Sequence, residues 1–264
     1  MYQTPDIRSV HITRYVTPLR EGGSLPAIVE ADDEFLYVAK FRGAGQGTKA
    51  LVADFIGSEL ARAAGFRVPE LVFATLDESF GRTEADEEIQ DLLRGSTGVN
   101  LGVHYLSGSV TFDPEVTTID PETASRIVWM DALITNVDRT ARNTNMLTWH
   151  RDLWLIDHGA SLYFHHTWDN WKVQSQKPFV QVKDHVLLPQ ASLLDAVDDK
   201  MKTLITPEVI QAIVQAVPDT WLQAPDLRES PRERREVYIA FLMERIGNTA
   251  IFINEAKNAR ELLV

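Results

Sequence analysis

Three oxygen-bearing side chains fall near one another in mid-chain: Asp138, Asn143 and Asp157, inside DALITNVDRTARNTNMLTWHRDLWLIDHGA, which runs from Asp131 to Ala160. Two carboxylates and a carboxamide suit a hard divalent cation such as Mg²⁺, which takes oxygen ligands, keeps some of its water and is often bound together with substrate phosphates. Four residues separate Asp138 from Asn143, a D-x-x-x-x-N spacing that carries little weight alone and needs its structural context. Upstream, Lys40 ends the apolar run LYVAKF. A lysine there either points to water at a sheet edge or is held in a cleft.

The elements that must position these groups are read from periodicity. VHITRYVTP, PAIVEA and FLYVAKF are rich in β-branched and aromatic residues and predict three strands. Gly22, Gly23 and Ser24 lie in the first connection, where paired glycines let backbone N–H groups approach a phosphate but also serve tight turns for steric reasons alone. The segment RGAGQGTK lacks the GxxxxGK[ST] pattern and reads as a connector. TKALVADFIGSELARAAG predicts an amphipathic helix with Thr48 as N-cap, Leu51, Val52, Phe55, Ile56, Leu60 and Ala63 on its stripe, and Gly65 as stop. Asp54 lies at the flank of that stripe and Glu59 nearly on it; an acid facing a core requires a cation, and Lys40 is the nearest candidate. FRVPELVFATLD and GSTGVNLGVHYL return to strand, with the acidic run from Asp77 to Asp91 between them as loop and polar helix.

Between Leu106 and Pro114 the pattern turns from strands to mostly helices, dividing the chain into residues 1–108 and 109–264. Asp120 as N-cap, Pro121 at the first helical position and Glu122 in the first turn open a helix whose stripe is Ile127, Val128, Met130, Leu133 and Ile134. That helix delivers VDRTARN to the surface. NMLTWHRDLWLID reads as a hairpin turning at His150, Arg151 and Asp152, its second strand ending on Asp157. An irregular aromatic segment with Trp168 and Trp171 follows, read as core and alternatively as a docking surface. Helices are expected near 190–204, 206–217 and, as one element from Ser230 and Pro231, 230–260.

Bulk properties exclude several classes. A formal charge of -12 over 264 residues argues against direct nucleic-acid binding, which needs a basic stripe, and the arginines from Arg228 to Arg235 are interleaved with glutamates. The absence of cysteine removes disulfides, thiol nucleophiles and cysteine zinc sites. No apolar run reaches membrane-spanning length and the N-terminus lacks a secretory pattern, so a cytoplasmic protein is expected.

With Lys40 on a strand, an acid on the following helix, NVDRTARNTNML and then LIDHGASL, the sequence resembles the HipA-like kinase family, over most of residues 15–165. The resemblance implies an α+β, two-lobed protein-kinase-like fold: a small β-rich N-lobe and a mainly helical C-lobe. It implies ATP and Mg²⁺ as cofactors and transfer of the γ-phosphate to a hydroxyl, that of a protein Ser or Thr; a small-molecule or lipid-headgroup kinase and a nucleotide-binding scaffold are the alternatives. Position by position, Asp138 corresponds to the aspartate that handles the acceptor hydroxyl, Asn143 and Asp157 to the metal ligands, and Lys40 to the lysine on the α and β phosphates. Gly22, Gly23 and Ser24 fall at the phosphate-covering turn. Asp54 aligns where relatives carry Glu, which leaves Glu59 as the competing partner of Lys40. Thr140 stands where a catalytic-loop lysine is familiar, and Arg139 or Arg142 would then offset phosphoryl charge.

Overall fold

The computed structural model describes residues 5–19, 25–80, 86–223 and 228–263. Five strands close into a barrel: β1 (Ser9–Pro18), β2 (Ala27–Ala31), β3 (Leu36–Lys40), β4 (Leu71–Leu76) and β5 (Gly98–His104), in the order β1-β2-β3-β5-β4. Sequence periodicity predicts the strands but not the closure, which comes from a long-range parallel pairing of Ser9–His11 with Phe73–Thr75. Alternation along β4 sorts its side chains between two cores. Val72, Ala74 and Leu76 fill the barrel with Val29, Tyr37 and Ala39, while Leu71 and Phe73 face the larger core shared with the helices.

Helix α1 (Gly47–Ala63) is capped by Gln46 without a side-chain bond, so Thr48 is not the N-cap. Gly65, at φ +84°, follows the helix end in the left-handed conformation that glycine adopts freely. The helix is buried on every side from Leu51 to Ala61, its polar face included, and is therefore not the half-solvated amphipathic helix its stripe predicts. Helix α2 (Glu87–Gly95) is the polar helix of the acidic run, capped by Asp86.

The second region contains the small sheet β6 (Val110–Thr111), β7 (Met146–Trp149) and β8 (Asp152–Leu155) and the helices α3 (Pro121–Leu133), α4 (Trp171–Ser175), α5 (Leu194–Leu204) and α6 (Pro207–Gln215), with α7 (Pro231–Gly247) and α8 (Ala250–Glu261) after them. Asp120 caps α3 through Thr123 N–H, and all five residues of its expected stripe are buried. The β7–β8 hairpin turns on His150 and Arg151, both at positive φ, and β8 stops at Leu155, two residues before Asp157. The tail is two helices instead of one, interrupted at Asn248 and Thr249. Trp168 and Trp171 pack against the main core, and the Arg234 guanidinium lies 3.9 Å from the Trp168 ring centroid.

One contact ties the late chain to the barrel. Trp221 meets Phe55 and Phe73 edge-on, its Nε1 donates to the Val99 carbonyl at 2.8 Å, and Arg42 donates to the neighbouring Thr220 carbonyl at 3.2 Å.

Candidate active site

Strand β3 and helix α1 place a cation between two acids. Lys40 Nζ lies 2.5 Å from Asp54 Oδ2 and 2.6 Å from Asp157 Oδ1. Asp54 is 1% exposed, Lys40 18% and Asp157 45%, so the cation bridges a sealed carboxylate and an open one. Burial disfavours the Lys40 charge, but the two carboxylates outweigh it and hold its proton more tightly than usual. For Asp157 burial favours the neutral acid, and the Lys40 charge reverses that, drawing its pKa below the ordinary value. Glu59 points elsewhere: it accepts from Arg62 Nε at 3.1 Å.

Asp54 also grips the segment after β8. Its Oδ1 accepts the His158 backbone N–H at 2.8 Å and the Ser58 hydroxyl at 3.3 Å. Because that hydroxyl has one proton, committed to Asp54, the 3.0 Å contact with His158 Nδ1 makes the imidazole the donor to Ser58. Burial first, and then the Arg139 charge, push the His158 pKa down to about 4, so the ring is neutral at pH 7. Gly57 permits this approach: a Cβ there would stand 2.5 Å from His158 Cβ. Asp157 itself sits at φ +50°, in a left-handed region that Asp and Asn tolerate better than most residues.

The other half of the site follows α3. The helix ends as a Schellman turn in which Thr135 N–H donates to the Ala132 carbonyl and Asn136 N–H to the Asp131 carbonyl, with Thr135 at φ +54° where glycine is usual. Asp138, two residues on, accepts from Asn143 Nδ2 at 2.8 Å and from Asn145 Nδ2 at 3.4 Å. Burial raises its pKa, the Asp157 charge adds to the rise, and the two amide hydrogen bonds oppose it. Gly22, Gly23 and Ser24 lie outside the described residues.

A model of the HipA-like kinase family matches residues 12–253, nearly the whole chain. The chain belongs to the HipA-like kinase family. Among solved structures it is similar to the proinflammatory kinase CtkA of Helicobacter pylori, with a TM-score of 0.56 and 14% identity over 98% of this chain and 100% of that one. A Golgi casein kinase is similar at a TM-score of 0.49 and 12% identity, over 98% of this chain and 75% of that one. No curated protein matches the sequence.

In this HipA-like kinase several residues that shape the site are not apparent from the motifs. Asp131 is fully buried: its Oδ1 accepts from Asn136 Nδ2 at 2.9 Å, and its Oδ2 from Arg139 Nε at 2.5 Å and from His185 Nε2 at 3.0 Å. Leu187 N–H donates to His185 Nδ1 at 3.0 Å, which fixes the proton of that ring on Nε2. Burial works to neutralise Asp131, but the Arg139 charge and the His185 hydrogen bond hold it ionised well below the usual carboxylate range. Arg139 also donates to the Asn145 carbonyl, so its guanidinium is fully enclosed and does not face a phosphoryl group. Arg142 remains exposed on the loop. Asp131 left a signal: it lies four residues after Ile127 and three before Ile134, on the buried stripe of α3. Asn145 left none beyond its place two residues after Asn143.

Proposed function

We propose that this kinase transfers the γ-phosphate of ATP, with Mg²⁺, to a hydroxyl, and that the acceptor is a Ser or Thr of a protein. The observation that carries the reading is Lys40 held at 2.5 and 2.6 Å between Asp54 and Asp157. A cation anchored by a buried acid and shared with an exposed one is ready to meet the α and β phosphates while Asp54 keeps it in place. In this reading residues 1–108 form the nucleotide-phosphate lobe, and residues 109–264 supply the catalytic loop and metal ligands.

The donor set fits Mg²⁺. Asn143 commits its amide N–H to Asp138, which leaves its oxygen for a cation, and Asp157 is half-exposed. Among the described residues no three His, Asp or Glu side chains gather into a cage, which suits an ion completed by water and phosphate. Mg²⁺ would neutralise charge on the triphosphate. Asp138 then orients the acceptor hydroxyl: a bond forms from its oxygen to the γ-phosphorus, the bond from that phosphorus to the ADP oxygen breaks, and the hydroxyl proton passes to Asp138. Its raised pKa makes it a better proton acceptor than a solvated aspartate.

Incubation of the purified protein with labelled ATP, Mg²⁺ and a cell lysate tests the reading, with Asp138→Ala as control. Transfer is expected to fall by roughly 10²- to 10⁴-fold in the variant. Label appearing only in a small molecule or lipid would overturn the protein acceptor, and undiminished transfer by Asp138→Ala would overturn the role of Asp138. A thermal shift with ATP and Mg²⁺ that Asp157→Asn abolishes reports nucleotide binding separately.

A further inference from the structure

Eight lysines occur in the chain. Lys40, Lys200, Lys202 and Lys257 are in ion pairs. Lys49, Lys172, Lys177 and Lys183 form none among the described residues, although the protein carries a formal charge of -12 and so offers an excess of carboxylates. Three of the four lie on one segment.

Residues 160–186 leave the catalytic loop where Val137 N–H donates to the Ala160 carbonyl at 3.1 Å, and return to it where Val186 N–H donates to the Arg139 carbonyl at 3.0 Å. Both ends are thus fixed beside Asp138. Lys172, Lys177 and Lys183 are exposed on this segment. Lys49 is in the first turn of α1, and its charge adds to the effect of burial in disfavouring the proton on His165 and His166 of this segment. Tyr163, Val173 and Val180 are exposed large apolar side chains on the same stretch. Its only exposed acids are Asp169 and Asp184.

We infer that residues 160–186, with Lys49, are the docking surface for the phosphoacceptor, and that the acceptor is an acidic polypeptide whose carboxylates flank the hydroxyl. The inference rests on the kinase reading and specifies its substrate class. The net charge of -12 disfavours the approach of an acidic chain in general, and the unneutralised lysines beside the loop that carries Asp138 offset it locally. Apolar side chains interspersed with the lysines supply contact area. Four lysines are too few to track a nucleic-acid backbone, and α4, five residues long, is too short to lie in a bilayer interface.

The test uses the full chain and fluorescent peptides with one Ser and acidic, neutral or basic flanks, measured by anisotropy without nucleotide at low and high salt. The acidic peptide is expected to bind about tenfold more tightly than the neutral one at low salt, with the preference lost at high salt. The triple variant Lys172→Ala, Lys177→Ala, Lys183→Ala should lose the preference, while the triple Lys→Arg variant keeps it and both retain the ATP–Mg²⁺ thermal shift. In the transfer reaction the Ala variant should raise KM for the acidic peptide about tenfold at unchanged kcat. Equal binding of the three peptides, an acidic preference that survives the Ala variant, or tighter binding of phosphatidylserine vesicles or a single-stranded oligonucleotide would overturn the proposal. Lysine-dependent binding of the acidic peptide without transfer from ATP would uphold the surface and reject the kinase reading.

Discussion

Two buried aspartates, each on a helix, hold the two halves of the site from behind, and they do so differently. Asp131 on α3 takes Asn136, Arg139 and His185, and its ion pair with Arg139 is wholly enclosed. Asp54 on α1 takes the His158 N–H, Ser58 and Lys40, but Lys40 is shared with the half-exposed Asp157. A sealed pair fixes a loop in one geometry, because separating its members would leave a bare charge in the interior. A shared pair can exchange one partner for an incoming anion while the buried partner holds. The loop that carries Asp138 therefore has a rigid support, and Lys40, which the proposed reading sets against phosphate, an adjustable one.

The largest effect should come from breaking the sealed support. Asp131→Ala leaves the enclosed Arg139 guanidinium without its counter-charge, and urea unfolding should report a loss of about 3–5 kcal/mol. A loss below about 1 kcal/mol would mean that the pair is not sealed in solution and would erase the contrast with Asp54.

A smaller effect should follow from displacing the adjustable support. Gly57→Ala introduces a Cβ 2.5 Å from that of His158, whereas a Cβ at Gly247 meets nothing within 4 Å. Overpacking at Gly57 should cost about 1–3 kcal/mol. It should also weaken the ATP–Mg²⁺ thermal shift by moving Asp157 away from Lys40, with Gly247→Ala unchanged on both measures. An intact thermal shift in Gly57→Ala would separate the packing of α1 from the placing of Asp157.

The smallest expected effect sharpens the role of the carboxylate partner. His185 is held by the ionised Asp131, whereas the His165 side chain has, among the described residues, the neutral Tyr238 hydroxyl at 3.1 Å as its hydrogen-bond partner. Burial, followed by His166, lowers the His165 pKa well below the ordinary value near 6.5. The folded state therefore resists protonation that the unfolded state accepts: the stability from neutral His165 is complete above pH 6.5 and is lost as pH falls from there toward the lowered pKa. At pH 5.5 the protein should be measurably less stable than at pH 7, and His165→Phe should lack that part of the loss. Melting curves across that range, identical in slope for the two proteins, would show that His165 is not kept neutral.

The sequence made part of this legible. Asp138, Asn143 and Asp157 stand out as candidates because they fall in one stretch of chain and Lys40 because it ends an apolar strand, but their meeting is long-range, Lys40 reaching Asp157 across 117 residues; α3 announces itself through Asp120, Pro121 and five regularly spaced apolar residues. The supports were not readable. His158 finds Ser58 across 100 residues and His185 finds Asp131 across 54, so nothing in their surroundings along the chain records the contact. Thr48 is not the cap because Gln46 already starts the helix, and the tail reads as one element in the sequence because apolar periodicity resumes after the break at Asn248 and Thr249. Closure of the barrel escaped for the same reason as the supports, since the pairing of β1 with β4 joins segments with a helix between them.

The Trp221 contact bears on the order in which the protein can be made. Its indole bonds to Val99, 122 residues earlier, and covers Phe55 and Phe73. A nascent chain emerging N-terminus first can pair its barrel strands, yet the aromatic face between α1 and β4 stays bare to water until residue 221 has left the ribosome. A truncation ending before Trp221 should thus bind a hydrophobic dye or a chaperone that the full-length chain does not.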